Sequence, residues 1–208
     1  MNDINLFQHQ AISQTIQDSF NDLLADEYLQ TKETFRQRRY STGSLKHKTI
    51  TWDENAKDFF QSKENNVYVG GVFRAFAPVA QQVKQYLADL IIPNALKHLP
   101  KQAYNIGVHQ IRTLSDNNAM GQPAPEGIHQ DGFDYIMVTC IKKENITGGD
   151  SLIFAADDYS KIKFDGILEA GESVLFNDKT YAHYASPIVP KIPGVGYRDV
   201  FVTTFKVA

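Results

Sequence analysis

The segment PEGIHQDGFD, residues 125–134, sets an imidazole and a carboxylate two positions apart, at His129 and Asp131. On an extended chain, residues two apart project to one face, so the pair can aim at a single ion. One nitrogen and one oxygen donor suit Fe(II), which takes mixed ligands. H-x-D alone recurs often by chance, and a lone histidine on a strand is more often structural than a ligand. The downstream sequence gives the pair its weight. His183 lies in DKTYAHYASPI, after an apolar strand and a turn, where a return across a β-barrel brings it opposite the pair. Three ligands on one face leave positions open for a co-substrate and oxygen. Arg198 follows in GYRDVFVTTF, on what reads as the final strand. A guanidinium pairs in bidentate fashion with carboxylates, which suits the distal end of a dicarboxylate held at the metal.

Outward from this segment, the second half of the chain has a consistent texture. YNIGVHQIRTL (104–114), YIMVTCI (135–141), DSLIFA (150–155), ESVLFND (172–178) and DVFVTTFKV (199–207) are rich in β-branched and aromatic residues. Turn signals separate them, at Asn117–Asn118, Pro123–Pro125, Gly148–Gly149, Asp165–Gly166 and Pro193–Gly194. This spacing predicts an antiparallel sandwich or barrel. The first half reads mainly as helices. Phe7 to Leu29 has apolar residues near a 3.6 period, Asp53 to Gln61 is a second helix candidate, and Val79 to Leu99 is amphipathic with Pro93 as a kink or stop. Lys48 to Trp52 is β-like, and Asn66 to Phe76, with Gly70 and Gly71, reads as strand, bend and helix entry. The expected fold is α+β, mainly β with N-terminal helices. A single continuous domain covers 1–208, with 1–100 as mostly helical support and 104–207 as the β core.

Composition narrows the function classes. A length of 208 residues, with 42% hydrophobic and 22% charged residues, matches an ordinary globular protein with a real core. A net charge of -3 gives no general attraction to nucleic acid or to an anionic membrane. The cluster Arg36, Arg38 and Arg39 is read as a solvated face before a polyanion site. The single cysteine, Cys140, excludes an internal disulfide and a thiolate metal site, and its apolar neighbours make it a core residue. MNDINLFQHQ lacks the basic segment and apolar core of a secretory signal, and no apolar run is long enough to cross a bilayer. A cytoplasmic protein is expected, without nucleic-acid or membrane partners.

In its order of H-x-D, distal histidine and arginine, the chain resembles the Fe(II)/2-oxoglutarate oxygenases. More narrowly, it resembles the bacterial group that contains isoleucine dioxygenase and related free amino-acid hydroxylases. The likeness runs from about residue 28 to 205. It rests on RQRRYS (36–41), VHQIR (108–112), PEGIHQDGFD (125–134), ITGGDSLIF (146–154), AHYASPI around His183 and GYRDVFVTTF (196–205). The resemblance implies a double-stranded β-helix, or jelly roll, with His129, Asp131 and His183 as iron ligands and Arg198 as the 2-oxoglutarate anchor. It further implies hydroxylation of a small molecule, a free aliphatic L-amino acid, with O2 consumed and succinate and CO2 released. Asp131 argues against a halogenase, which keeps a small residue there. Two other readings stay open: an oxygenase acting on a peptide or protein, and an iron-binding jelly-roll sensor without turnover. A homodimer is the assembly considered. One departure is clear: many relatives place Ser or Thr two residues after the anchor, where this chain has Val200.

Neighbouring residues allow further expectations. Gln110 and Arg112 alternate with His109 and Ile111, so only one pair can face the interior. Gln110 and Arg112 are preferred as substrate-binding residues, because a buried guanidinium needs an anion; a surface ion pair is the alternative for Arg112. Glu126 can hold a substrate ammonium group or cap its turn. Asp178 can orient His183 or shape a turn with Asn177. Arg38, Arg39 and Tyr40 can cover the pocket mouth. For a zwitterion, Arg112 or the Arg36–Arg39 stretch can supply the cation, and Glu126 or Asp134 the anion.

Overall fold

The computed structural model describes residues 4–30, 33–55 and 57–208. In chain order the strands and helices are β1 (Ile4–Gln8), α1 (Gln14–Asp18), β2 (Leu24–Ala25), β3 (Arg36–Lys46), β4 (Thr49–Trp52), α2 (Gln81–Tyr86) and α3 (Ile92–Ala95). There follow β5 (Tyr104–Ser115), β6 (Tyr135–Glu144), β7 (Ile146–Gly148), β8 (Ser151–Ala155), β9 (Asp158–Gly166), β10 (Glu172–Asn177), β11 (Tyr181–Ala185), β12 (Ile188–Pro190) and β13 (Gly196–Val207). All five β-rich runs recognised in the second half form strands.

The main antiparallel sheet has the order β1-β10-β6-β13-β5-β3-β2, with β4 attached to β3. A smaller sheet, β11-β8-β9, and the ribbon β12-β7 complete the jelly roll. Period-two alternation divides the main sheet into two different faces. Tyr104, Ile106, Val108, Met137, Leu175, Phe201 and Phe205 point to one side, where they pack on Ile16, Phe20, Val83, Leu87 and Ile91 from the helical segments. His109, Ile111, Thr113, Val138, Arg198, Val200 and Val202 point to the other and line a cavity, with Ser151, Ile153 and His183 of the smaller sheet opposite. Helices thus cover one face and leave the other for chemistry.

The first half differs from the expected helical support. Ile4–Gln8 is an edge strand on β10, held further by His9, whose side chain meets Ser173 Oγ at 2.7 Å and Asn94 Nδ2 at 2.9 Å. Helical periodicity survives only over Gln14–Asp18 and a following 3-10 turn, Ser19–Asp22. A free sheet edge beside β10 outcompetes a longer helix for the preceding residues. Arg36–Lys46 is a strand of the main sheet paired along β5. The described residues of the 53–61 helix candidate form no helix: Phe59 exchanges backbone hydrogen bonds with Arg74, both at 2.9 Å. Asn66–Phe76 makes turns and this bridge in place of a strand and helix entry. The expected Val79–Leu99 helix is present as α2 and α3, joined by a π-helical stretch, Leu87–Ile91, just before Pro93. Proline has no N–H to offer the preceding turn, and a π-bulge absorbs that defect. No helix among the described residues is long and apolar enough to cross a membrane.

Candidate active site

The two histidines are brought together by backbone pairing across the cavity. His129 N donates to His183 O at 3.0 Å, and His183 N donates to His129 O at 2.8 Å. This bridge joins the loop before β6 to β11 and sets the ring centroids 4.2 Å apart. Asp131, two residues on, turns to the same side. One ligand atom from each of His129, Asp131 and His183 lies within 4.8 Å of the others. His129 Nε2 and His183 Nε2 stand 3.5 and 3.7 Å from the Asp131 carboxylate oxygens.

Asp178 holds the loop in place. Its carboxylate accepts from the backbone N–H groups of Asp131, Gly132 and Phe133, at 3.1, 2.7 and 2.9 Å. It therefore braces the H-x-D turn, so of the two roles open to Asp178 in the sequence it is the shaping of a turn that these bonds support. Gly132 supplies the left-handed backbone of that turn, at φ +88°. His129 Nδ1 lies 2.9 Å from Gly127 O, a contact that fixes this nitrogen as the donor and leaves Nε2 facing the cluster. Burial resists a proton on His129, yet its hydrogen bond to Asp131 and the charges of Glu126 and Asp131 raise it to about 9. Burial, with the nearby His129 charge, pushes His183 down to about 3. The Asp131 carboxyl lies well below its usual range: burial opposes this, but the His129 hydrogen bond and the His183 charge outweigh it. Two imidazoles and a carboxylate that compete for one proton form a donor set suited to a divalent cation.

Arg198 lies in the cavity wall, 3% exposed, with no carboxylate within ion-pairing distance among the described residues. Its Nη2 approaches Ser151 Oγ at 3.4 Å, and its Nε is buried without a partner. Gly149, at φ +76°, keeps room for it: a Cβ there would stand 3.2 Å from Arg198 Cδ. A buried, unpaired guanidinium is costly, and an incoming carboxylate would satisfy it. Ser151 is the nearby hydroxyl that Val200 does not provide. It comes from the opposing sheet, so no spacing within β13 points to it.

The preference for Gln110 and Arg112 is corrected. They share the helix-facing side with Ile106 and Val108. Gln110 Nε2 donates to Ser19 Oγ at 2.9 Å, while Arg112 binds both Asp199 oxygens at 2.7 Å and Asn21 Oδ1 at 2.9 Å. Asp199 stands directly opposite Arg112 in the β5–β13 ladder, so the guanidinium has its anion without the cavity. His109 and Ile111 face the cavity instead. The run Tyr104, Ile106, Val108 held the signal, since an apolar helix-facing side continues in register to residues 110 and 112.

At the other end of the cavity, Glu126 Oε1 lies 3.3 Å from His129 Nε2 and accepts from Asn66 Nδ2 at 3.4 Å, while its Oε2 is buried without a partner. Arg36 and Arg38 of β3 face inward and share Asp26, at 2.8 and 3.8 Å. Arg38 also donates to His109 Nδ1 and lies over Phe59 and Phe76. Burial, then the neighbouring Arg36 charge, brings Arg38 down to about 9. Arg39 points away, to the carbonyls of Pro78 and Asp22, and Tyr40 stacks on His109. Asp134 lies outside the cavity, bound to Val207 N and Lys179. Three further cavity residues escaped sequence reading: Gln61, Asn66 and Arg74. They lie on a segment without strand or helix, where periodicity carries no signal.

The sequence model of the 2OG-Fe dioxygenase family matches residues 17–204. L-isoleucine-4-hydroxylase of Bacillus thuringiensis is 26% identical over 165 residues, covering 73% of this chain and 66% of the relative. The chain thus spans just under two-thirds of that protein's length. Among solved structures, a bsmA homologue from Methylobium petroleophilum PM1 superposes with a TM-score of 0.79 at 22% identity, over 93% of this chain and 80% of its own. IDO from Bacillus thuringiensis does so with a TM-score of 0.71 at 22% identity, over 93% and 81%. These two likenesses are of fold.

Proposed function

The chain belongs to the 2OG-Fe dioxygenase family, whose members use Fe(II) and 2-oxoglutarate, and from this premise we propose that it hydroxylates the side chain of a free aliphatic L-amino acid. The overall reaction consumes substrate, 2-oxoglutarate and O2 and yields hydroxylated product, succinate and CO2. The observation that carries the residue-level reading is one cavity holding both the His129, Asp131, His183 cluster and the unpaired Arg198. When bound, Fe(II) supplies oxygen activation coupled to decarboxylation of the co-substrate.

This chain's residues have complementary tasks. His129, Asp131 and His183 hold the metal, and Asp178 fixes the turn that aims two of them. Arg198, with Ser151, receives the distal carboxylate of 2-oxoglutarate. Val138, Val200 and Val202 give the cavity wall an apolar stretch, and Val200 lies next to Arg198 on the same strand face, where exclusion of water strengthens charge pairing. Glu126 is placed to receive a substrate ammonium group. The relative L-isoleucine-4-hydroxylase supports an amino-acid substrate. Strands from both halves of the chain line the cavity, which supports reading it as one catalytic unit. A cytoplasmic setting is part of the same proposal.

Two measurements test this reading. Anaerobic protein with Fe(II) and 2-oxoglutarate should show a weak visible charge-transfer band, and His129→Ala, Asp131→Ala and His183→Ala should each abolish it. Wild-type enzyme with Fe(II), ascorbate, 2-oxoglutarate and air should add one oxygen to at least one free amino acid, detected by mass, with matching succinate. If only a peptide or another metabolite is oxygenated, the substrate assignment falls and the iron chemistry stands.

A further inference from the structure

Two buried atoms without partners face the same cavity and carry opposite charge: Arg74 Nε and Glu126 Oε2. Native interiors rarely keep such groups unsatisfied without a ligand to complete them. Neither is free to collapse on the other. The Arg74 side chain, 1% exposed, donates from Nη2 to Gln61 Oε1 at 2.7 Å and lies over the Phe59 ring at 4.7 Å. Glu126 is held through its other oxygen by Asn66 and His129.

Apart from Arg198, assigned above to the co-substrate, the other inward-facing cations are already engaged. Arg36 and Arg38 share Asp26, and Arg38 is also bonded to His109. Arg74 alone among these three lacks a carboxylate within ion-pairing distance among the described residues. Bound metal would also remove the one ionic partner Glu126 has among the described residues, because the His129 Nε2 that faces it would become a ligand atom, and would leave only the neutral Asn66 amide. Apart from the Arg198 co-substrate anchor, the cavity then presents one unpaired cation, Arg74, and one unpaired carboxylate, Glu126, each pinned by its other hydrogen bonds.

We infer that Arg74 and Glu126 form a zwitterion-binding subsite, in which Arg74 receives the α-carboxylate and Glu126 the α-ammonium group of a free amino acid. The inference rests on the proposed amino-acid hydroxylation and names the groups that recognise the substrate backbone. It explains why Gln61 matters. Its Oε1 accepts from Arg74 and from Asn66, and its Nε2 donates to Asp131 Oδ1 at 2.5 Å. A residue that touches the carboxylate anchor of the substrate is thus one hydrogen bond from the metal's carboxylate ligand. Peptidyl residues, which lack both charges, would be rejected by a site left with two buried charges unpaired.

The test uses L-isoleucine, L-leucine and L-valine, each beside its N-acetyl derivative and its primary carboxamide. All are titrated calorimetrically into anaerobic protein holding Fe(II) and 2-oxoglutarate. Wild type should bind at least one free amino acid and lose about thirtyfold or more in affinity for both derivatives. Glu126→Gln should weaken the free amino acid by a similar factor and barely change the N-acetyl derivative. Arg74→Gln should weaken the amino acid and barely change the carboxamide. Should Arg74→Gln fail to fold, Arg74→Lys and the comparison of derivatives on wild type decide the matter. Equal wild-type affinity for acid and carboxamide, or undiminished amino-acid binding by both variants, overturns the subsite and leaves amino-acid hydroxylation standing. Oxygenation of a peptide but of no free amino acid overturns both.

Discussion

Arg198 and Ser151 reach one end of the cavity from opposite sheets, and their unequal burdens predict unequal effects. Arg198→Ala should raise the 2-oxoglutarate requirement by about a hundredfold or more, since loss of one member of a buried charge pair costs about 3–5 kcal/mol. Fe(II) affinity should stay near wild type. Ser151→Ala removes a single hydrogen bond, worth about 0.5–1.5 kcal/mol, so the shift should be tenfold or less, on the order of a few-fold. Steady-state titration of 2-oxoglutarate at saturating Fe(II) measures both, and an unchanged requirement in Arg198→Ala would remove it as the anchor. Arg198 was legible in the sequence because it follows the distal histidine on a recognisable strand. Ser151 was not, because its relevance exists only after β8 is laid across from β13. Arg74, Gln61 and Asn66 were hidden for another reason. They lie where neither a period of two nor one of 3.6 assigns a side to anything.

A single face of β5 decides what its residues do. His109, Ile111 and Thr113 border the cavity, while Gln110 and Arg112 anchor the 3-10 turn at Ser19 and Asn21. Arg112→Ala should therefore act on folding, by about 3–5 kcal/mol, because it strands the fully buried Asp199 carboxylate. Urea denaturation should register that loss, and the folded fraction should keep its ordinary 2-oxoglutarate dependence. A raised requirement without loss of stability would return Arg112 to the cavity. The strands themselves were readable from β-branched alternation, and the apolar run Tyr104, Ile106, Val108 carried their facing, but the anion that holds Arg112 on that side lies on β13, 87 residues away in sequence. The N-terminal elements failed differently. Ile4–Gln8 and Arg36–Lys46 have edges of the main sheet available to them, and such long-range pairing overrides a weak helical period.

At the level of the whole molecule, buried neutral histidines tie acid sensitivity to packing. Burial holds His9 below its ordinary value, and burial with the charges of Arg38, Arg74 and Arg36 holds His109 well below it. Both free histidines take up a proton near pH 6.5 in the unfolded chain, while the folded protein resists it. Their contribution is complete above that pH and declines as the pH falls beneath it, before most carboxylates titrate. Denaturation midpoints should drop between pH 7.5 and 5.5, and His9→Gln should flatten that drop. A wild-type midpoint that does not move across this window would count against the assignment of both rings as neutral. The architecture has a consequence in time as well. β13 comes last of the strands in chain order, yet it lies between β5 and β6 in the middle of the main sheet. During synthesis those two strands must wait with open edges, and closure depends on a distant segment, which places folding on the order of milliseconds to seconds. The strand that seals the sheet is also the one that carries Arg198, so a chain reaches its native topology and acquires its co-substrate anchor in the same event.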